Sequence, residues 1–575
     1  MLPKRWEIAP EHPMIEEKLA AALQIQPLAA RLLANRGIST IEGAREFLSP
    51  SLQRLYDPFC MRGMAEAVDR LIRGLQSQER IVIYGDYDVD GITATAVLSW
   101  FFREIGAPVP YYLPHRMREG YGLNAEAMRK LADQGTRILI TVDCGITGHE
   151  EVQLARRLGM DVIVTDHHQV PPTLPDAVAV LNPHQPECAY PAKELSGVGV
   201  AFKLIMALRG RLRREARWVG KLPNLRRHLD LVALGTIADV APLLGENRIL
   251  VKHGLHELTH SLKLGVQTLK RIARLDAQDI GPREVGFSLA PRLNAAGRLA
   301  AAKAGVELLL SDDAARAEKL ARYLDSVNRE RQVVQAQIYA EAKAAIEADG
   351  GIGNRWAIVL ASEGWHPGVV GIVASKLVEE YGRPTVLIGL DGDTGKGSGR
   401  SIAAFHLYNA LVACQELLVG FGGHEHAAGI RIHRHQVRPF EEALNRVACE
   451  LLTETDCAPL LGIDAQVQLE EIDDTLLQFV ERLEPFGEGN PQPVLLARGV
   501  SVVGAPTLVG KEQQHLRLML RQGHMIFQGI GFAMGRQLTQ AKEGILDIAF
   551  TPQRHVWNGR EECQLVLRDL TPHAG

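Results

Sequence analysis

Paired cysteines, aromatic side chains and an excess of charge of one sign are all scarce in this chain of 575 residues. Its seven cysteines are scattered and contain no C-x-x-C pair, which argues against a disulfide framework or a zinc ribbon and favours a reducing cytoplasm. Aromatic residues make up only 5%, so platforms for stacking must be few. A formal net charge of −4 argues against a polycation that coats DNA, and leaves open a local basic channel beside an acidic site.

Long apolar runs are missing as well. The N-terminal run MLPKRWEIAPEHP has no apolar signal core, and no uninterrupted stretch is long enough to cross a bilayer. We therefore expect a cytoplasmic protein that makes no contact with a membrane. With 46% hydrophobic and 23% charged residues the chain has the composition of a folded protein, and its length predicts several domains.

Strand and helix patterns predict an α/β multidomain protein with five segments. Short helices over 1–55 form an N-terminal cap, which we expect to pack on the domain that follows. Buried-strand runs alternate with amphipathic helices over 56–310, which predicts a parallel sheet covered by helices. Helical spacing over 311–350 predicts one long connecting helix, with two helices broken near its middle as the alternative. A second α/β domain over 351–457 and a C-terminal β-barrel of the OB-fold type over 458–575 complete the fold.

The strongest chemical signal is the run YGDYDVDG at 84–91, directly after a buried strand. Its three carboxylates repel one another unless cations neutralise them, and hard oxygen ligands favour Mg²⁺ or Mn²⁺. A calcium loop would need a glutamate six residues beyond Gly91, where Val97 stands. A solvated acidic loop stays the alternative for this run taken alone.

Acidic and imidazole side chains also follow two further predicted strands. Asp143 comes directly after one strand, and the run DHH at 166–168 comes directly after the next. Ligands of open parallel sheets gather at the carboxyl ends of the strands, so we expect these groups and the acidic run to share one rim. Asp239 lies in an otherwise apolar helical stretch and is a further candidate, with a surface position at a helix end as its alternative.

Together these side chains suit a site that holds two divalent cations. Two cations about 3.5–4 Å apart can share a carboxylate and a water, lower the pKa of that water and offset the charge of a phosphate. Carboxylates with one or two imidazoles suit Mn²⁺, and Mg²⁺ is acceptable. The pattern therefore indicates two-metal-ion hydrolysis.

The order of these motifs resembles the DHH phosphoesterase superfamily. GDYDVDG, TVDCG, TDHH and LGTIADVAPL are similar to its four motifs. The further runs APRLNAAGR, GWHPGVVGIVASKL, GSGRS, GGHEHAAG and LEPFGEGNPQP are similar to one branch, the RecJ family of bacterial single-stranded-DNA-specific exonucleases. The resemblance extends from about Arg31 to the C-terminal barrel.

The resemblance implies roles for individual side chains. The implied catalytic residues are Asp86, Asp88, Asp90, Asp143, His167, His168 and Asp239. All of them except His168 would bind metal, and His168 would face the scissile phosphate. The implied DNA-binding residues are Arg116, Arg298, Ser398, Arg400 and His424. Arginine suits capture of a 5′ phosphate because it makes charge-assisted, often bidentate contacts, although GSGRS taken alone also suits a plain hairpin turn.

The family also implies an activity. It is 5′→3′ hydrolysis of single-stranded DNA to mononucleotides with two Mn²⁺ or Mg²⁺, in DNA recombination, recombinational repair and mismatch repair. The 351–457 domain would bind nucleic acid, and the partners would include single-stranded-DNA-binding protein and a RecQ-type helicase. We expect a monomer.

Two alternative functions and the role of one basic stretch stay open. A DHH phosphodiesterase for short RNA or cyclic dinucleotides is one alternative, which the additional barrel disfavours. A non-catalytic DNA-binding scaffold is another, which the intact acidic and histidine positions disfavour. The basic stretch over 209–227 is interpreted as a solvated helix, with a place along the DNA path as the alternative.

Overall fold

A computed structural model describes residues 4–116, 119–214, 222–299, 302–557 and 560–573. Two units separate within the chain. The first, called here the parallel-sheet unit, comprises residues 46–329 and 483–491. The second, called here the barrel unit, comprises residues 4–45, 330–482 and 492–573. Part of the basic stretch over 209–227, namely 215–221, lies outside the described residues.

Five parallel strands form the sheet of the parallel-sheet unit. In spatial order they are Tyr111–Tyr112, Ile81–Gly85, Ile138–Val142, Asp161–Thr165 and Ala179–Leu181. The central strands IVIYG and ILITV are buried along their whole length, as expected where helices cover both faces. Gly85 pairs with Val142, and Val142 with Thr165, so three strands end level at one rim. The residues that follow these strands therefore start from the same edge.

Helices cover both faces of this sheet. They are Met64–Gln76, Val89–Glu104, Ala125–Asp133, His149–Arg157, Gly197–Arg214, Leu229–Ala238, Gly245–Thr259, Leu264–Ile272, Pro282–Glu284, Ala290–Leu299 and Lys303–Leu309. Alternate strand residues feed two cores, with Ile83 and Ile140 on one side and Val82 and Leu139 on the other. This two-sided burial confirms the predicted α/β layering.

The segment 483–491 belongs to the parallel-sheet unit although the barrel strands follow it in the chain. The buried Arg248 donates to the carbonyl of Glu484 at 2.9 Å, and the N–H of Leu243 donates to the carbonyl of Glu488 at 2.8 Å. Asn490 is also buried and donates to the carbonyls of Leu483 and Pro485, both at 2.8 Å. Hydrogen bonds from the buried side chains of Arg248 and Asn490 thus fix this segment.

The predicted connecting helix runs unbroken over Ala314–Ala348. At 1.5 Å per residue its 35 residues span about 52 Å. Its residues through Arg329 belong to the parallel-sheet unit and those from Glu330 to the barrel unit. The alternative of two shorter helices is wrong.

The barrel unit contains a mixed sheet of five strands. In spatial order they are Gly420–Gly423, Ala427–His433, Thr394–Arg400, Thr385–Asp391 and Ile358–Glu363. The last pair is parallel and the others are antiparallel. The helices Pro367–Tyr381, Leu407–Ala413 and Val437–Leu451 accompany it. The run GSGRS begins inside a strand of this sheet, so its interpretation as a plain turn is wrong.

A closed β-barrel forms the C-terminal part of the barrel unit. Its strands are Leu495–Val509, His515–Gln522, Met525–Gly531, Ile545–Trp557 and Arg560–Pro572. The first strand pairs with both the second and the fourth, which closes the five strands. Ala465–Gln466 adds to the first strand in parallel, and the helices Asp474–Arg482 and Leu538–Ala541 lie between strands in the chain. The closed barrel confirms the fold predicted for the C-terminal region.

Residues 4–45 of the predicted N-terminal cap belong to the barrel unit, and its remaining residues, 46–55, belong to the parallel-sheet unit. The strand Arg5–Ile8 pairs in parallel with Leu460–Ile463, ahead of the helices Pro13–Leu23, Pro27–Ala34 and Ile41–Leu48. Trp6 Nε1 donates to Asp569 Oδ2 at 2.9 Å, which adds a side-chain contact. Pairing between such distant segments leaves no local pattern in the sequence. Among the described residues, no helix has both the length and the hydropathy of a membrane span.

Candidate active site

The acidic loop, residues 84–91, leaves the rim of the parallel sheet and starts a helix. Asp88 caps that helix, because its Oδ1 accepts the N–H of Gly91 at 3.1 Å. A Cβ at Gly91 would lie 2.8 Å from the backbone of Asp86, so the turn closes only with glycine. Asp86 and Asp90 are both buried. The loop thus points carboxylates inward at the end of a strand.

All seven side chains predicted to be catalytic lie together at this rim. They form three overlapping groups, and within each group one ligand atom per residue lies within 4.8 Å of the others. The groups are Asp86, Asp88 and Asp143; Asp90, His167 and Asp239; and Asp143, His167 and His168. Because Asp143 and His167 each belong to two groups, the groups form one continuous cluster, called here the acidic cluster.

His167 lies at the centre of the acidic cluster. Its Nε2 is 3.1 Å from Asp143 Oδ1 and 3.8 Å from both Asp90 Oδ2 and Asp239 Oδ2. His167 Nε2, Asp143 Oδ1 and Asp86 Oδ1 are buried and have no hydrogen-bond partner among the described residues. Buried polar atoms are normally paired, and a divalent cation is the partner that carboxylate oxygens and imidazole nitrogens share. The donor set therefore fits a metal ion.

Asp143 reaches the cluster through an unusual backbone conformation. It follows the strand Ile138–Val142 and takes φ = 60°, in the left-handed region that few residues other than glycine adopt. Val240, which follows Asp239, also has φ = 60°. Strained backbone of this kind costs about 1–3 kcal/mol and clusters at functional sites. Two of the four chain segments that supply the cluster therefore carry strain.

The N-terminus of the helix Gly197–Arg214 holds Asp90. The backbone N–H groups of Gly197 and Val198 donate to Asp90 Oδ2 at 2.6 Å and to Oδ1 at 2.8 Å. A Cβ at Gly197 would lie 2.7 Å from Asp143 Oδ1, so the helix can approach this closely only with glycine. The positive end of the helix dipole also favours the carboxylate.

Asp166 is a buried member of the site that the sequence interpretation missed. Its Oδ1 lies 2.7 Å from His168 Nδ1 and accepts the N–H groups of His167 at 2.8 Å and His168 at 3.1 Å. Its Oδ2 accepts the N–H of Ile146 at 3.0 Å. This pairing fixes the His168 ring and directs Nε2 away from Asp166. The sequence places this carboxylate directly before two histidines, but only the structure shows which way it points.

Burial and mutual repulsion shift the pKa values within the acidic cluster. Burial, then the charges of neighbouring carboxylates, raises the pKa of Asp86, Asp90 and Asp143, and that of Asp239 to about 7. Burial lowers the pKa of His167 to about 4. These directions show negative charge crowded into a buried space, which divalent cations would neutralise.

His168 differs from its neighbour. Burial lowers the pKa of His168, but the hydrogen bond to Asp166 and its charge outweigh this and raise the pKa to about 9. The Tyr121 hydroxyl lies 3.2 Å from His168 Nδ1. The arrangement therefore keeps a proton on the ring of His168.

Two predicted DNA-binding arginines lie in the same unit as the acidic cluster. The Arg116 guanidinium lies 4.9 Å from the centre of the Tyr87 ring, and Tyr87 belongs to the acidic loop. Arg298 lies on the helix Ala290–Leu299, where Asn294 Oδ1 accepts the N–H of Val89 at 3.2 Å. Both arginines are therefore carried by segments that contact the acidic loop.

The other three predicted DNA-binding residues lie in the barrel unit. Arg400 Nη1 donates to Ser398 Oγ at 3.0 Å and to the carbonyl of Gly399 at 2.7 Å. A Cβ at Gly371 would lie 2.7 Å from Ser398 Oγ, so this pair packs against the second turn of the helix Pro367–Tyr381. His424 lies in the exposed connection between the strands Gly420–Gly423 and Ala427–His433, whose first residue Ala427 pairs with Arg400.

Comparison with known proteins decides the family. The DHH family N-terminal domain matches residues 80–236, the DHHA1 domain matches 353–450 and the RecJ OB domain matches 463–569. The single-stranded-DNA-specific exonuclease RecJ of Bacillus subtilis is 41% identical over 572 residues, 98% of this chain and 70% of that protein. The chain belongs to the RecJ family. RecJ of Escherichia coli K12 is 34% identical over 97% of this chain and 98% of that protein.

A solved RecJ has the same fold along almost the whole chain. The structure of Thermus thermophilus RecJ in complex with Mn²⁺ has a TM-score of 0.83 and 32% identity, covering 99% of this chain and 80% of that one. The same protein has been solved with Mg²⁺, with a TM-score of 0.77 and 29% identity. Metal ions in that RecJ agree with the donor set found in the acidic cluster.

Proposed function

We propose that this RecJ-family chain is a single-stranded-DNA-specific exonuclease that degrades DNA from the 5′ end to mononucleotides by metal-dependent hydrolysis. The observation that carries the proposal is the convergence of seven acidic and imidazole side chains at the carboxyl ends of parallel strands. The relatives from Bacillus subtilis and Escherichia coli bear the name single-stranded-DNA-specific exonuclease. Roles in recombination, recombinational repair and mismatch repair follow from the family.

We assign metal binding to residues of the acidic cluster. The proposed ligands of two Mn²⁺ or Mg²⁺ ions are Asp86, Asp88, Asp90, Asp143, His167 and Asp239. When bound, such ions lower the pKa of a coordinated water and offset charge on the phosphate oxygens. The helix N-terminus at Gly197 holds Asp90 in place, so this ligand needs little rearrangement when a cation arrives.

His168 has a separate proposed role, which is to donate a hydrogen bond to the scissile phosphate. Asp166 holds its Nδ1, and the raised pKa of about 9 keeps the ring protonated near neutral pH. A protonated Nε2 can donate to a non-bridging phosphate oxygen as negative charge develops there. Asp166 acts in this scheme as a positioning residue.

Five residues are proposed to bind the strand. Arg116 and Arg298 would contact phosphate next to the acidic cluster, and Ser398 with Arg400 would contact phosphate in the barrel unit. His424 is the fifth, on its exposed connection. Capture of a terminal phosphate would set the 5′→3′ polarity.

The proposal is tested by nuclease assays on labelled DNA. We expect Mn²⁺- or Mg²⁺-dependent release of mononucleotides from 5′-phosphorylated single strands, no comparable release from blunt duplex, and complete loss of activity in EDTA. Preferred cleavage of short RNA or cyclic dinucleotides would support the phosphodiesterase alternative instead. Binding of single strands without cleavage in any metal would support the scaffold alternative.

The remaining expectations stay predictions. The domain boundaries at 55, 310, 350 and 457 are proposed as drawn from the sequence. All seven cysteines are free, which supports a reducing compartment such as the bacterial cytoplasm. Contacts with single-stranded-DNA-binding protein and a RecQ-type helicase, and the monomeric state, await direct binding and mass measurements.

A further inference from the structure

An exposed phenylalanine stands out in the parallel-sheet unit. Phe287 has 82% of its surface exposed, more than any other aromatic side chain among the described residues. A large apolar ring in water gains nothing for folding, because it leaves its area unburied. Aromatic residues make up only 5% of the chain, and this one contributes little to a core. Its ring is therefore accessible to a ligand.

The backbone at Phe287 is also unusual. Val285–Leu289 form a π-helical turn within a helical segment that continues from Pro282 to Leu299. Val285 and Leu289 are buried, whereas Gly286 and Phe287 face solvent. Single π-turns within helices are rare and occur frequently at functional sites. Here the buried pair anchors the turn, and the turn directs the ring outward.

The position of this turn connects it with the acidic cluster. The turn contacts the helix Leu229–Ala238, whose C-terminal cap is Asp239, a proposed metal ligand. The same helical segment continues to Asn294, which accepts the N–H of Val89 in the acidic loop at 3.2 Å. One end of the segment thus contacts the acidic loop, and Phe287 projects from the other end.

Charge and spacing along the segment suit a nucleic acid strand. Arg283 is exposed and comes four residues before Phe287, whereas Asn294 and Arg298 come seven and eleven residues after it. Arg283 and Phe287 are exposed at the start of the segment, and Asn294 and Arg298 are half-buried further along it, near the acidic loop. Phe287 lies about 10 Å along the axis from Asn294, which corresponds to roughly three stacked nucleotides at 3.4 Å each.

We propose that Phe287 is a base-stacking residue for the single strand held at the acidic cluster, with Arg283 contacting an adjacent phosphate. The inference rests on the proposed function and names a binding position for its substrate. Stacking on an aromatic ring accepts every base, which suits an enzyme that must degrade any sequence. It also favours single strands over duplex, because duplex bases are already stacked on one another.

The decisive measurement is a thermodynamic cycle between the ring and one base. Binding of 5′-phosphorylated oligonucleotides, each with one abasic site at a successive position, is measured in an Asp143→Asn background that prevents degradation. We expect one abasic position to weaken binding about 5- to 160-fold, since stacking contributes about 1–3 kcal/mol per base. Phe287→Ala should weaken binding of the intact strand by the same factor and should remove sensitivity to that position alone.

Further variants keep the test specific. Phe287→Trp should retain the abasic sensitivity, and Phe287→Leu should lose it while keeping an apolar side chain, which covers the case of an alanine variant that folds poorly. Phe59→Ala removes a phenylalanine that is 37% exposed elsewhere in the same unit, and should behave like its parent. Equal sensitivity of the parent and its Phe287→Leu variant at every abasic position would overturn the inference. The inference would also be overturned if Phe287→Leu changed self-association, measured by light scattering, and left DNA binding unchanged.

Failure of the stacking proposal can be distinguished from failure of the exonuclease proposal. If the unaltered chain degrades single strands and Phe287→Leu leaves KM and abasic sensitivity unchanged, the stacking position is wrong and the exonuclease proposal stands. If the unaltered chain degrades no single strand in Mn²⁺ or Mg²⁺, the exonuclease proposal itself fails. A rise in KM with an unchanged kcat in Phe287→Leu supports both.

Discussion

The acidic cluster and the Ser398–Arg400 pair show two ways of preparing a site for charge. The acidic cluster crowds like charges into a buried space, with backbone strain at Asp143 and unpaired atoms such as His167 Nε2. The Ser398–Arg400 pair is only half-buried, and its polar atoms are partly satisfied by one another. The first arrangement is complete only with an added cation. The second is stable alone and can exchange its internal hydrogen bond for an anion.

The largest expected effect comes from removing a shared ligand of the acidic cluster. Asp143→Asn should lower exonuclease activity by more than about 100-fold, because even residues behind metal ligands cost 10–100-fold when altered. Single-strand binding should change little by comparison. Asp161 lies at the opposite, amino end of a neighbouring strand, and Asp161→Asn is the matched control. Full turnover by Asp143→Asn, measured with 5′-labelled single strands, would contradict the assignment of the cluster.

A smaller effect on activity is expected from Asp166, which contacts His167 and His168 of the acidic cluster. Asp166→Asn should reduce kcat by about 10–100-fold and raise the Mn²⁺ concentration needed for half-maximal activity, because Asp166 holds the ring of His168 and the backbone of His167. KM for the strand should stay near that of the parent. Titration of activity against Mn²⁺ checks this. Normal kcat and normal Mn²⁺ dependence would show that Asp166 serves the fold alone.

The Ser398–Arg400 pair should affect recognition rather than chemistry. Arg400→Ala should reduce the preference for 5′-phosphorylated over 5′-hydroxyl strands by about tenfold, in line with 1.5–3 kcal/mol for hydrogen bonds to charged groups. Maximal turnover in Mn²⁺ should hold. Arg438 is an exposed arginine of the same unit, and Arg438→Ala should leave the preference intact. An unchanged preference in Arg400→Ala would remove it from phosphate capture.

The smallest expected effect is on stability, and it concerns Asp88 in the acidic loop. Asp88→Asn and Asp88→Ala should both abolish activity, but asparagine can still cap the helix Val89–Glu104. Asp88→Ala should therefore be less stable than Asp88→Asn by about 1 kcal/mol, seen as a thermal midpoint lower by about 2 °C in EDTA. Equal midpoints would show that the Asp88 cap contributes nothing to stability.

Much of the fold and of the acidic cluster could be predicted from the sequence. The parallel sheet, the long helix and the closed barrel all have local signals, namely buried β-branched runs, helical spacing and alternation. The acidic loop, Asp143 and the two histidines were predictable because they follow strands that end at one rim. Asp239 was a candidate in an apolar helical stretch, and its place in the site came from the family resemblance. The proposed ligand roles rest on the family and on the donor set of the cluster.

Other features left no local signal. The place of residues 4–45 depends on pairing with Leu460–Ile463, far away in the chain. The role of Asp166 depends on which way a buried carboxylate points, which spacing cannot give. The glycine at 197 is one of 54 in the chain, and only the structure shows that a side chain there would meet Asp143.

The pairing of Arg5–Ile8 with Leu460–Ile463 has a consequence for how the chain matures on the ribosome. At about 5–20 residues per second, translation needs roughly 25–90 s to bring the second strand out after the first. During that interval the leading strand has no neighbour to receive its backbone hydrogen bonds. Nascent chains must therefore keep this segment away from other exposed edges until Leu460–Ile463 has been translated.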